Sequence, residues 1–177
     1  MDFAMKSQRI LFLLFCFMMN IIERNYAQTA KEFFSLAMKN IEQSDYTSAE
    51  KNFTLSIQLD SFFTEAYYNR AFVRDELKDF KGALMDYDRA IYLNPYDAGF
   101  YYNRALIKES LNNFQEAVTD YSESISRKPD NSSPWFNRGL IYLKLNDSEK
   151  ACFDFRKALE LGEKDASALI KIHCKKR

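Results

Sequence analysis

A chain of 177 residues, 47% hydrophobic and 16% aromatic, can bury the core of one domain and does not have a disordered composition. Its 25 Lys and Arg offset 25 Asp and Glu, so a formal net charge of zero gives no electrostatic reason to expect nucleic acid. Only four Gly and three Pro allow few tight turns and point to a mostly helical chain.

The chain opens with a segment unlike the rest. Lys6 and Arg9 precede the apolar run ILFLLFCFMMNII, and polar ERNYAQ follows. Basic, apolar and polar stretches in that order predict a secretory signal peptide over residues 1–27, cleaved after Ala27, and a periplasmic or secreted remainder. Asn25 stands where a small residue is preferred, so the cleavage position is approximate. An uncleaved anchor through residues 10–22 is the competing reading; it is disfavoured because about 20 apolar residues are needed to span a bilayer. Bulky Phe15 argues against a lipid on Cys16. Without residues 1–27 the net charge is minus one, still nearly neutral.

The remaining domain, 28–177, repeats with a period of 34 residues and no insertion, giving repeats 30–63, 64–97, 98–131 and 132–165. Position 4 of each repeat holds Phe33, Tyr67, Tyr101 and Trp135, and position 8 holds Ala37, Ala71, Ala105 and Gly139. Position 20 is Ala49, Ala83, Ala117 and Ala151; position 24 is Phe53, Tyr87, Tyr121 and Phe155; position 27 is Ser56, Ala90, Ser124 and Ala158. Each repeat reads as two apolar-periodic helices of about 14 residues around a polar turn such as Lys78-Asp79 or Asn112-Asn113. Small residues let paired helices approach, and aromatics fill the gaps between them. Ser133-Pro134 reads as an N-cap followed by Pro at the first helical position. One such hairpin cannot bury its apolar face alone, so the repeats must stack. Residues 166–177 read as a capping helix, with Leu169, Ile172 and His173 covering the end and Lys171, Lys175 and Lys176 facing water.

This pattern of large, small and aromatic positions, with Pro95 and Pro129 at position 32, resembles the tetratricopeptide repeat (TPR) over residues 30–165. Ser61 and Glu163 depart from it at position 32, and Ser148 replaces the aromatic supplied by Tyr46, Phe80 and Phe114. The resemblance implies an all-α fold, an α-solenoid of four helix-turn-helix TPR units with a C-terminal capping helix. It also implies that the first helices line a concave groove that holds peptides or helices of partner proteins.

Steps of 100° per residue divide the first helix into two faces. Positions 4, 7, 8 and 14, the last being Leu77, Leu111 and Leu145, form the packing side. Positions 2, 5, 6, 9, 12 and 13 point the other way, toward the implied groove. Its candidate partner-binding residues are Phe34, Met38, Tyr68, Asn69, Phe72, Tyr102, Asn103, Leu106, Phe136, Asn137 and Leu140, with Ile41 and Leu143 beside them. The asparagine row could bond an extended peptide backbone while the aromatics take its side chains. The alternative stays open: the aromatics pack between helices, and the asparagines cap local polar groups.

Arg70, Arg104 and Arg138 recur at position 7, on the packing side, where an unpaired charge would be costly. Asp86, Asp120 and Asp154 recur at position 23 in the same three repeats, whereas the first repeat has Leu36 and Asn52 at these places. Charge and countercharge are present or absent together, which predicts structural ion pairs in preference to ligand contacts. Acidic Asp75, Glu76 and Glu109 read as a polar edge of the groove.

Nothing in the sequence supports catalysis, and no cofactor, metal or small-molecule substrate is expected. The single His173 lacks companions at metal-ligand spacing, and Gly82, Gly99, Gly139 and Gly162 are isolated, so there is no phosphate loop. Cys152 and Cys174 read as two small buried hydrophobic residues, with a bridge between the last helices as the alternative that spacing does not decide. The expected function is an exported, non-catalytic TPR adaptor or scaffold holding a segment of a partner protein. Its rival is a structural subunit that uses the same face for self-association, as a homo-oligomer or within an envelope complex. A receptor for carboxylate-terminated tails fits poorly, because positions 2, 5, 6 and 9 contain only Lys31 as a base.

Overall fold

The computed structural model describes residues 14, 17–19, 26 and 28–174, and among these all regular structure is helical. The expected signal segment and its anchor alternative therefore fall largely outside the described residues. Among the described residues no helix is long and apolar enough to cross a membrane. The chain divides into two compact units, residues 1–77 and 78–177.

In the N-terminal unit, helix α1 is described over residues 28–42, followed by α2, Tyr46–Leu59, and α3, Thr64–Glu76. The turn after α1 needs a left-handed residue, and Ser44 supplies it at φ 59°. Asp45 then starts α2: its carboxylate accepts the Ser48 N–H at 3.1 Å, satisfying one of the orphan donors of the first turn. Ala37, Ala49, Phe53, Ile57, Ala66 and Val73 form the core of this unit. The alanines allow backbones close together, and Phe53, fully buried, occupies the space they leave. Ser56 is also buried and donates its hydroxyl to the Ala30 carbonyl, 2.8 Å away, tying α2 to the start of α1.

The C-terminal unit contains α4, Phe80–Leu93; α5, Ala98–Ser110; α6, Phe114–Arg127; α7, Ser132–Lys144; α8, Ser148–Glu160; and α9, Ala166–His173. Each helix packs on the next in chain order. The device seen at Ser44 recurs at Lys78, Asn112 and Asn146, with φ of 64°, 60° and 59°. Asp79 and Asp147, each following such a residue, accept the N–H of Gly82 and Lys150 and cap α4 and α8. The core of this unit includes one cluster around Ala105, Ala117, Tyr121 and Ile141 and another around Ala151, Phe155, Ala158 and Ala166.

Four expectations change. The α7 cap is Asn131, not Ser133: its side chain accepts the Ser133 N–H at 3.2 Å, so the helix begins two residues earlier and Pro134 sits buried within its first turn. Leu77, Leu111 and Leu145 are not core; each is the C-cap of its helix, where the turn carries the side chain outward, and each is 38–39% exposed. In α9 it is Leu169 and Ile170 that pack on the core, while Ile172 is 66% exposed and His173 faces water. Cys152 and Cys174 are joined by a disulfide and are not two separate thiols. Their spacing could not reveal this, because it is the docking of α9 on α8 that brings them together.

Candidate functional site

Two of the recurring arginines, Arg104 and Arg138, are each held from three directions. Arg138 of α7 donates Nε to Asp154 Oδ2 and Nη2 to Asp154 Oδ1, both at 2.8 Å, in the planar fork that guanidinium and carboxylate share. Its remaining Nη1 donates to Ser122 Oγ on α6 at 2.7 Å, and its guanidinium lies 5.1 Å from the Trp135 ring centre. Arg104 repeats the geometry, with Nε and Nη2 on Asp120 at 2.8 and 2.6 Å, Nη1 on Asp88 at 2.5 Å, and Tyr101 at 5.6 Å. In the N-terminal unit Arg70 directs Nη1 to Thr54 Oγ1 at 3.0 Å and lies 5.7 Å from the Tyr67 ring. Asp86 is buried on α4.

Sequence reasoning missed the third contact. Thr54, Asp88 and Ser122 all stand at position 25, a polar column on the second helix, and each accepts from the arginine that follows. The signal was a hydrogen-bonding side chain at one place in three successive repeats. Arg104 and Arg138 thus each bond their own repeat through the aspartate and the preceding repeat through position 25. Burial works against charge in these pairs, but bonds to Asp120 and then Asp88 hold Arg104 above the ordinary arginine range, and Asp154 does the same for Arg138. Asp154, at 1% exposed against 14% for Arg138, is desolvated more and is pushed above the ordinary carboxylate value, Arg138 opposing.

The candidate groove residues are less open than the sequence suggested. Three of the position 5 aromatics lean on the position 24 aromatics of their own repeats: Phe34 on Phe53 with ring centres 5.5 Å apart, Tyr102 on Tyr121 at 5.9 Å, Phe136 on Phe155 at 5.9 Å. Phe34 also meets Phe63 at 4.9 Å. Met38, Tyr68, Asn69, Asn103, Leu106, Asn137 and Leu140 are likewise half-buried, and Phe72 is 39% exposed. These side chains therefore serve the core with one edge and present the other to solvent. Asn69 donates to the Glu65 carbonyl on its own helix at 2.7 Å, whereas Asn137 donates to the Tyr102 hydroxyl at 3.1 Å and so links α7 to α5.

Glu109, expected at an acidic edge, is instead engaged from two sides. It accepts the Tyr121 hydroxyl at 3.0 Å and the Lys144 ammonium at 2.9 Å. Burial first, and then the Glu109 charge, pushes the Tyr121 hydroxyl well above the usual tyrosine range, so it remains a donor. Among the described residues no group of three or more His, Cys, Asp or Glu is placed to hold a metal ion.

Helix hairpins in series, small residues at the close approaches, and an aromatic first-helix face define an all-α helical-repeat protein whose fold is that of a protein-interaction scaffold. A family model for the tetratricopeptide repeat matches residues 132–165, and another matches 64–97 and 98–131. The chain belongs to the tetratricopeptide repeat family. It is similar to the crystal structure of MamA, with 26% identity, 82% of this chain and 89% of that one covered, and a TM-score of 0.74. A tetratricopeptide repeat protein from Parabacteroides merdae is similar at 22% identity, 81% and 59% coverage and a TM-score of 0.75. The first TPR of Spaghetti (RPAP3), solved with the HSP90 peptide SRMEEVD, is similar at 25% identity, 68% and 95% coverage and a TM-score of 0.66. No curated protein matches the chain in sequence.

Proposed function

We propose that this protein is an exported, non-catalytic adaptor that binds a peptide segment or helix of a partner protein on a face that positions 5, 6 and 9 give the first helices within each unit. The observation that carries this reading is the divided role of that face: its aromatic and aliphatic side chains anchor in the core by one edge and leave the other to solvent. Such side chains are already ordered, so they lose little rotamer freedom when a ligand covers them. Spaghetti, of the same family, is solved with a peptide bound. That peptide is acidic toward its C-terminus, whereas among positions 2, 5, 6 and 9 of this chain Lys31 is the sole base, so a different ligand is expected here. Export is supported by the basic, apolar and polar order of residues 1–27 and by the Cys152–Cys174 disulfide, which suits an oxidising compartment.

The test is a pull-down from the native cell envelope and medium with the chain from residue 28 onward, repeated with Tyr68→Ala and Tyr102→Ala together. Loss of the partner in a variant that remains folded by circular dichroism is the expected result. Undiminished recovery overturns the assignment of this face, and a tight dimer in sedimentation would transfer the face to self-association.

A further inference from the structure

The third and fourth repeats differ at one notch. In the third, Lys108 of α5 extends over the buried pair: its ammonium lies 2.9 Å from Asp120 Oδ2 and 3.6 Å from Glu116 Oε2. In the fourth, the place of Lys108 is taken by Tyr142 and that of Glu116 by Lys150. Asp154 keeps the fork from Arg138, and among the described residues no lysine lies on it. Between α7 and α8 a surface notch of about 580 Å³ opens above this pair, walled by Tyr142 and Phe153 and rimmed by Asp147, Glu149 and Lys150.

We propose that this notch receives a lysine side chain of a partner protein, whose ammonium takes the part that Lys108 plays one repeat earlier. The lining contains three carboxylates against two cations. Both cations are engaged: Arg138 by its fork to Asp154, Lys150 by Asp147 at 2.6 Å. Among the described residues Glu149 forms no direct ion pair; its charge acts on Lys150 only at longer range, so its carboxylate can meet an incoming cation. The Tyr142 ring already attracts ammonium and guanidinium groups, with Lys150 Nζ at 5.3 Å and Arg138 at 5.8 Å from its centre. Phe153, 53% exposed, offers an apolar wall for the four-carbon stem of a lysine. The excess of carboxylates disfavours an anionic occupant. These residues lie at positions 11, 16, 18, 19 and 22, apart from the face proposed above, so the two assignments fail independently.

The test is a titration of the isotope-labelled chain by nuclear magnetic resonance with N-acetyl-lysine methylamide, beside the norleucine and glutamate analogues. Saturable shifts at the amides of Tyr142, Lys150 and Phe153 are expected with the lysine compound alone. They should weaken in Glu149→Gln and vanish in Tyr142→Lys, which gives the fourth repeat the residue that fills the notch of the third. No response to the lysine compound, an equal response to norleucine, a response to glutamate, or an unchanged response in Tyr142→Lys would each overturn the proposal.

Discussion

Arg138 and Asp154 are joined by two parallel hydrogen bonds of 2.8 Å in a place where Asp154 is 1% exposed, and the one remaining guanidinium arm crosses to Ser122 on the preceding repeat. Removing only the acid would leave a desolvated cation behind. Asp154→Ala is expected to cost about 3–5 kcal/mol in urea denaturation, because the penalty is that of an uncompensated buried charge. Ser122→Ala, which deletes one neutral acceptor, should cost about 1 kcal/mol. Replacing both partners, Arg138→Leu with Asp154→Leu, should recover most of the loss. If Asp154→Ala proved no worse than Ser122→Ala, the fork would not be the fastening described here.

Gly139 is the position 8 residue of the fourth repeat, where the other three have Ala. A Cβ built there would stand 2.7 Å from Cε1 and 2.9 Å from Cδ1 of Phe155, inside the contact limit. Phe155 is fully buried and also touches Phe136, so the ring has little freedom to retreat. Gly139→Ala is therefore expected to destabilise by about 1–3 kcal/mol through overpacking, despite the better helix propensity of Ala. Phe155→Leu in the same chain should relieve part of that cost, and a double-mutant cycle by thermal or urea denaturation measures the coupling.

The terminal helix depends on its staple. Helix α9 has eight residues, short of the roughly 12–15 that a helix needs to persist alone, and it packs through buried Ala166 and half-buried Leu169 and Ile170. The Cys152–Cys174 bridge spans 22 positions of sequence, so its removal should cost about 3 kcal/mol on a chain-entropy estimate. In Cys174→Ser, or in the wild type with a dithiol reductant, amide exchange is expected to quicken first across residues 166–173 while α5 and α6 keep their protection. Uniform loss of protection across α5 to α9 would show that the cap and the repeats open together.

The repeat made most of this architecture legible. Phe53, Tyr121 and Phe155 are buried as their period implied, and Asp120 and Asp154, the partners of Arg104 and Arg138, could be found by comparing the chain with itself. What escaped was information carried by direction, not by residue type. Helical angles place Tyr102 and Phe136 opposite the packing side, yet long aromatic side chains reach around the helix to Tyr121 and Phe155, so a face assigned by angle alone is only half free. Leu111 and Leu145 failed for the converse reason: they extend the apolar period into a residue where the helix has already ended. The bridge between α8 and α9 and the notch beside Tyr142 depend on how neighbouring helices sit, which no spacing along one helix encodes.

Acid should act on this protein in two opposed steps. Asp45 is held below the ordinary 3.8 by the side-chain and then the backbone bond to Ser48, and Asp147 by its side-chain and then backbone bond to Lys150. An aspartate whose folded value is depressed gives stability that is complete above 3.8 and is lost as pH falls through the folded value, so these caps fail on the acid side of 3.8. Asp154 runs the other way. Burial raises it above 3.8 against the pull of Arg138, so the folded chain binds this proton more tightly than the unfolded one, and the contribution of Asp154 grows as pH falls from above its folded value toward 3.8. Urea denaturation across this range should therefore show the Asp154→Asn change in slope above 3.8 and the Asp147→Asn change below it, with Asn still serving as a cap at 147. Carboxyl resonances followed with pH check the same order residue by residue. An Asp154 that titrated below 3.8 would mean that the arginine fork outweighs burial, and the expected slope at that site would reverse.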